Sequence, residues 1–242
     1  MVTMIYISER RASIMLSQQI YLKRIYPVAA IIILVFSILA RVLWVGPPYI
    51  DLWETISSLY NPSHPEYNPV GAYFFWGTMV TTGLLTIAMI VYVHPRLAHV
   101  KKGITIFGTF WMLVGAIGFL LVGLVPQHTL DFISPRFHEI SAVVALIGAL
   151  FGAAFYGLAM ITGKPPLNRK LFILITVLMW GLIGLIVLSA GGAYLVFGTD
   201  WAGQTPIPNL SPLFSIAICE KVGFWVWIAY MGLIGALIPD HL

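Results

Sequence analysis

"PQHTLDFISPRFHEISAVV", residues 126–144, decides how the rest of the chain is read. It carries His128, Asp131, Arg136, His138 and Glu139, yet apolar runs flank it, 104–125 before and 138–161 after. Only 9% of the chain is charged, against 60% hydrophobic. An ordinary soluble domain carries about 25% charged residues. A stretch this polar between such runs reads as a loop at a membrane surface, whose last residues open a transmembrane helix. A water-soluble fold of 242 residues has too little interior to hide so much apolar surface.

Working outward from that loop, we look for segments of about 20 apolar residues, the length that crosses the hydrocarbon core as a helix. Six are present: 26–46, 71–94, 104–125, 138–161, 171–197 and 213–238. Gly46-Pro47-Pro48 closes the first, His94-Pro95 the second, Pro126 the third, Gly163-Lys164-Pro165-Pro166 the fourth and Pro239 the sixth. The runs are continuous and do not alternate, which excludes a spanning β-barrel. The expected fold is all-α: a polytopic membrane protein with six transmembrane helices. Residues 26–242 form one transmembrane domain, and residues 1–25 a basic tail or an interfacial helix on the inner leaflet. That N-terminal stretch lacks the long apolar run and cleavage site of a signal peptide. Cys219 is the single cysteine, so no intrachain disulfide forms.

The charges give the orientation. Arg10, Arg11, Lys23 and Arg24 precede span one; Arg96, Lys101 and Lys102 separate spans two and three; Lys164, Arg169 and Lys170 separate spans four and five. Basic residues in short loops mark the cytoplasmic face. Both termini are therefore expected to be cytoplasmic, in a multi-pass protein of the plasma membrane. These cations serve topology, and nucleic acid is not an expected partner. Most acids fall toward the opposite face: Asp51, Glu54, Glu66, Asp131, Glu139, Asp200 and Glu220.

Two stretches carry a family resemblance. "ISSLYNPSHPEYNPVGAYFFWGTMV", 56–80, has a polar region with Asn-Pro before a helix that opens on aromatics. "VGLVPQHTLDFISPRFHEISAVVALIGAL", 122–150, has a helix ending in Gly and Pro, a short acidic loop and a His opening the next helix. "CEKVGFWVWIAYMGLIGAL", 219–237, adds a charged pair and Trp. Together they resemble the DUF998 family of membrane proteins, with Gln127-His128 where that family commonly has an acid. The resemblance implies a six-helix membrane protein and no particular activity.

Charges inside a span cost about 2.5–3.5 kcal/mol at mid-helix on insertion scales. Arg41 near the end of span one, Glu139 opening span four, and Glu220 with Lys221 two turns into span six all fall at similar depth on the outer side. They either pair to lock the bundle or line an outward-facing polar pocket with His138, with Asp51 and Arg136 at its mouth. Such a pocket suits a lipid headgroup or a small molecule. No metal is expected, because no H-x-x-x-H or H-E-x-x-H is present. His128, His138 and Glu220 meet only if the fold brings them together. No cofactor is expected either, and His94, His99 and His241 lie at the inner face, where they do not make a transmembrane haem site.

Membrane lipids are the expected partners, and other membrane subunits are a second class: small size and short loops also suit an accessory subunit of a larger complex. A third reading is an intramembrane lipid hydrolase, with His138 as base to Ser57, Ser58, Ser134 or Ser141. A transporter is disfavoured by the lack of repeats. Catalytic residues are not assigned. Rows of small residues, Gly108, Gly115 and Gly118 in span three and Gly148, Gly152 and Ala153 in span four, predict close helix contact. Trp44, Trp53, Trp76, Trp201, Trp225 and Trp227 are expected to form an aromatic belt in the outer half.

Overall fold

Proline 27 shapes the first helix. It has no N–H to give the carbonyl of Lys23, and the turn before it, Tyr21–Ile25, widens to a π-helix closed by the Tyr26 N–H on the Tyr21 carbonyl. That spacing sets Tyr21 and Tyr26 on one face, their rings 6.5 Å apart. The computed structural model describes residues 17–46, 65–124, 137–163, 170, 172–181, 184 and 216–238. After the helical turn Gln18–Ile20 and the π segment come α1, Tyr26–Val42; a 3₁₀ turn, Pro65–Tyr67; α2, Gly71–Leu124; and α3, Phe137–Thr162. Then follow α4, Phe172–Gly181, and α5, Ile216–Leu237. Among the described residues there is no strand.

Helix α2 is 54 residues long. At 1.5 Å per residue a straight helix of that length would run roughly 80 Å, far beyond a hydrocarbon core of about 30 Å. It does not run straight. Lys101 leaves helical geometry at φ −155°, ψ 78°, and the chain turns back there. A Cβ added at Gly83 would lie 2.8 Å from Leu120 Cγ, and one at Gly123 2.8 Å from the Trp76 carbonyl, so the two halves pack antiparallel. The sequence placed the end of this helix at His94-Pro95. The helix instead carries Pro95 inside it and breaks at Lys101. The strain at Pro95 is local: one carbonyl, that of Val91, loses its N–H. One residue on, the Arg96 guanidinium donates to the Tyr92 carbonyl at 2.6 Å.

The rows of small residues pack as their spacing implied. A Cβ at Gly115 would sit 2.5 Å from the Ala149 amide nitrogen, and one at Gly118 2.6 Å from Ala145 Cα. Gly152 meets Met112, and Gly108 meets the ring of Tyr156. Backbones this close leave no room for side chains, the usual device for helix association without a hydrophobic driving force. The outer faces remain apolar: Ile31, Val42, Phe110, Ile117, Val177 and Leu178 are all more than half exposed. Only acyl chains solvate such a surface well.

Three helices, Tyr21–Val42, Gly71–Leu124 and Ile140–Thr162, are long and apolar enough to cross a membrane. Phe172–Gly181 and Lys221–Leu237 are shorter apolar helices. Lys23, Arg24, Arg96, Lys101, Lys102 and Lys170 lie toward one end, where the rings of Tyr21 and Tyr92 stack 5.0 Å apart. We call this the basic end. The opposite end carries Arg41, the start of α2 and the start of α3.

Candidate functional site

The Arg41 end is assembled around Asn68. Its side-chain amide donates to the Ala40 carbonyl at 2.9 Å, one of the last carbonyls of α1, which lack helical partners. Val45 N–H donates to the Tyr67 carbonyl at 2.8 Å, and Trp44 packs edge-on against Tyr67 at 5.9 Å. Asn68 also lies against the Cα of Gly71, where no Cβ would fit. Asn68 thus ties the end of α1 to the start of α2; the earlier Asn-Pro of the polar region, Asn61-Pro62, lies outside the described residues. Arg41 emerges beside this joint, half-buried in the last turn of α1.

Phe75, one turn into α2, faces His138 in the first turn of α3, with ring centroids 6.3 Å apart. His138 is only 4% exposed. Both of its ring nitrogens are buried, and neither has a hydrogen-bond partner among the described residues. Ser141, one turn along on the same face, is also buried, yet it makes no hydrogen bond to that imidazole. The nucleophile–base pair of a hydrolase is therefore not formed at Ser141; Ser57, Ser58 and Ser134 lie outside the described residues. On α5, Lys221 is half-buried, and Phe224 one turn later meets Phe119 of α2 at 6.3 Å.

These contacts bring Arg41, His138 and Lys221 to the same end of the bundle, on three helices that each pack against α2. Asp51, His128 and Arg136, and the side chains of Glu139 and Glu220, lie outside the described residues. Trp227 departs from the expected belt. It is fully buried and stacks on Tyr230 at 5.9 Å, while Trp225, two residues away and so on another face, is exposed.

Sequence reasoning missed a second polar region, in the basic half. Tyr21 donates to the Met231 carbonyl at 3.1 Å, Tyr26 to Ile228 at 3.2 Å, and Tyr92 to Ile238 at 2.6 Å and Gly235 at 3.2 Å. Tyr230 returns the favour to α3, donating to Ala153 at 2.8 Å. Arg96, read from sequence as a loop cation, is 2% exposed, with its guanidinium 4.1 Å above the Tyr92 ring. His94 Nδ1 lies 2.6 Å from Thr109 Oγ1, which lies 2.7 Å from the Tyr156 hydroxyl. The signal available in the sequence was the recurrence of tyrosines at the basic ends of the spans.

Apolar helices of spanning length, close small-residue packing and lipid-ready outer faces define a helical membrane protein. Within that class the chain belongs to the DUF998 family, described as a protein of unknown function, which matches residues 28–233. No curated protein matches the chain, and no solved structure does.

Proposed function

We propose that the chain is a six-span protein of the plasma membrane, with both termini cytoplasmic. We infer that its outward end binds the polar headgroup of a lipid or a small polar molecule. The observation that supports this reading is His138, buried with two unbonded ring nitrogens. Leaving a buried polar group unsatisfied costs about 1–3 kcal/mol, and buried polar atoms are nearly always bonded. A neutral imidazole offers one donor and one acceptor, which a hydroxyl, amide or phosphate ester can match. Arg41 and Lys221, at the same end, are the proposed flanking cations. Glu139 and Glu220, with Asp51 and Arg136 at the mouth, complete the proposed pocket.

The test is native mass spectrometry of the protein extracted in mild detergent, wild type against His138→Phe. The reading expects a co-purifying lipid or small molecule on the wild type that is absent from the variant, with melting temperature undiminished. Identical spectra for the two proteins would overturn it. A stable additional polypeptide in both would instead favour an accessory subunit.

A further inference from the structure

The basic half holds a part-buried hydrogen-bonded chain that has no part in the proposed pocket. Five threonines, Thr78, Thr82, Thr86, Thr105 and Thr162, spend their hydroxyl hydrogen on the carbonyl four residues earlier, at 2.8–3.0 Å. This is the common habit of threonine in a membrane helix. Thr109 does otherwise. It stands between two titratable side chains, His94 of the other half of α2 at 2.6 Å and Tyr156 of α3 at 2.7 Å. Tyr156 is fully buried, whereas His94 is only partly buried. The chain thus leads from a partly accessible imidazole to a phenol in the core.

Hydrogen counting gives one self-consistent direction for it. Tyr156 has one hydrogen and needs an acceptor. If Tyr156 donates to Thr109, and Thr109 donates to Nδ1 of His94, every hydrogen is placed, and His94 is neutral with its proton on Nε2. A proton added to His94 makes Nδ1 a donor. Thr109 must then accept from His94 and turn its own hydrogen toward Tyr156, whose hydrogen is displaced. The Tyr230 hydroxyl of α5 is already committed, donating to the Ala153 carbonyl of α3 at 2.8 Å.

We propose that His94, Thr109 and Tyr156 form a proton-binding site at the basic end, in which proton uptake by His94 reverses the chain and is registered at Tyr156. The step balances simply: one proton from water is bound by His94, and no other bond is made or broken beyond the reoriented hydroxyl hydrogens. The other ionisable side chains described at this end are cationic or phenolic. Arg96, His99, Lys101 and Lys102 belong to α2, Lys23 and Arg24 to the first helix, and Lys170 precedes α4; Tyr21, Tyr26, Tyr92 and Tyr230 stand among them. No described carboxylate is there, since Glu66 lies at the Arg41 end. Among the ionisable groups at this end, His94 is the side chain whose ring nitrogen is joined to Tyr156 through the Thr109 hydroxyl.

The experiment is carbon NMR of the full chain in lipid nanodiscs, with tyrosine labelled at Cζ and the Tyr156 signal assigned by its loss in Tyr156→Phe. In the wild type that signal is expected to move when the protein is acidified. His94→Asn keeps a neutral acceptor where Nδ1 stands but cannot take up a proton, and the signal should be stationary. Thr109→Val removes the link while retaining shape, and the signal should again be stationary. A Tyr156 signal that does not move in the wild type, or that moves in either variant as it does in the wild type, overturns the proposal. Wild-type-like movement restored by Thr109→Ser separates loss of the hydroxyl from a packing defect.

Discussion

In the basic half, the hydroxyls of Tyr21, Tyr26, Tyr92 and Tyr230 all end on backbone carbonyls of a neighbouring helix, and Thr109 joins His94 to Tyr156. At the Arg41 end, His138 is also buried, and its nitrogens have no hydrogen-bond partner among the described residues. Other buried polar atoms of the bundle also lack a hydrogen-bond partner among the described residues: Ser37 Oγ, Thr176 Oγ1 and the Nε1 atoms of Trp111 and Trp227. His138 differs from these in leaving two ring nitrogens unbonded, at the end where Arg41 and Lys221 also stand. The reading proposed above assigns those nitrogens to an exogenous polar group.

The comparison rests first on a common frame, and the frame is the easiest thing to break. Gly148 lies on the backbone of Gly115 and the Trp111 carbonyl, whereas nothing stands within 4 Å of a Cβ built at Gly103. Gly148→Leu should lower unfolding free energy by about 3 kcal/mol or more, the upper range of overpacking. Gly103→Leu should stay within about 0.5 kcal/mol of wild type. Reversible unfolding in mixed micelles measures both, and equal effects would mean that α2 and α3 do not pack through their glycines.

The basic half is sharpened next. Tyr92 donates to two carbonyls at the end of α5, so Tyr92→Phe should cost about 1 kcal/mol, in the upper part of the range found for such bonds in membranes. Thr82→Val removes a hydroxyl that only supplements a carbonyl of its own helix; its effect should be below about 0.5 kcal/mol. If the threonine change costs as much as the tyrosine change, the tyrosine bonds are not what fastens α5 to its neighbours.

How far the sequence revealed this arrangement follows from what each residue type can report. Continuous apolar runs locate the helices, and glycine spacing in 108–118 and 148–152 marked faces of close helix contact, because both are periodic properties of the chain itself; that the two rows meet each other is shown by the fold. Pro95 misled, since a proline can ride inside a membrane helix when only one carbonyl is left over, and Lys101 carries no comparable mark. Trp227 was expected at the interface from its residue type; its facing is set by a neighbour on another helix. The tyrosine bonds and the His94–Thr109–Tyr156 chain join residues up to 210 positions apart, and no local pattern encodes such pairs. His138 stood out in the sequence as a polar residue opening an apolar helix, but its lack of partners belongs to the fold alone.

The most direct measurement is the melting temperature of ligand-stripped protein, wild type against His138→Phe, in one detergent. An imidazole that serves a ligand contributes nothing to the empty bundle, so replacing it with an apolar ring is expected to leave the melting temperature unchanged or raise it by a few degrees. A fall of several degrees would contradict the account, because it would mean that the histidine holds the helices together as Tyr92 does.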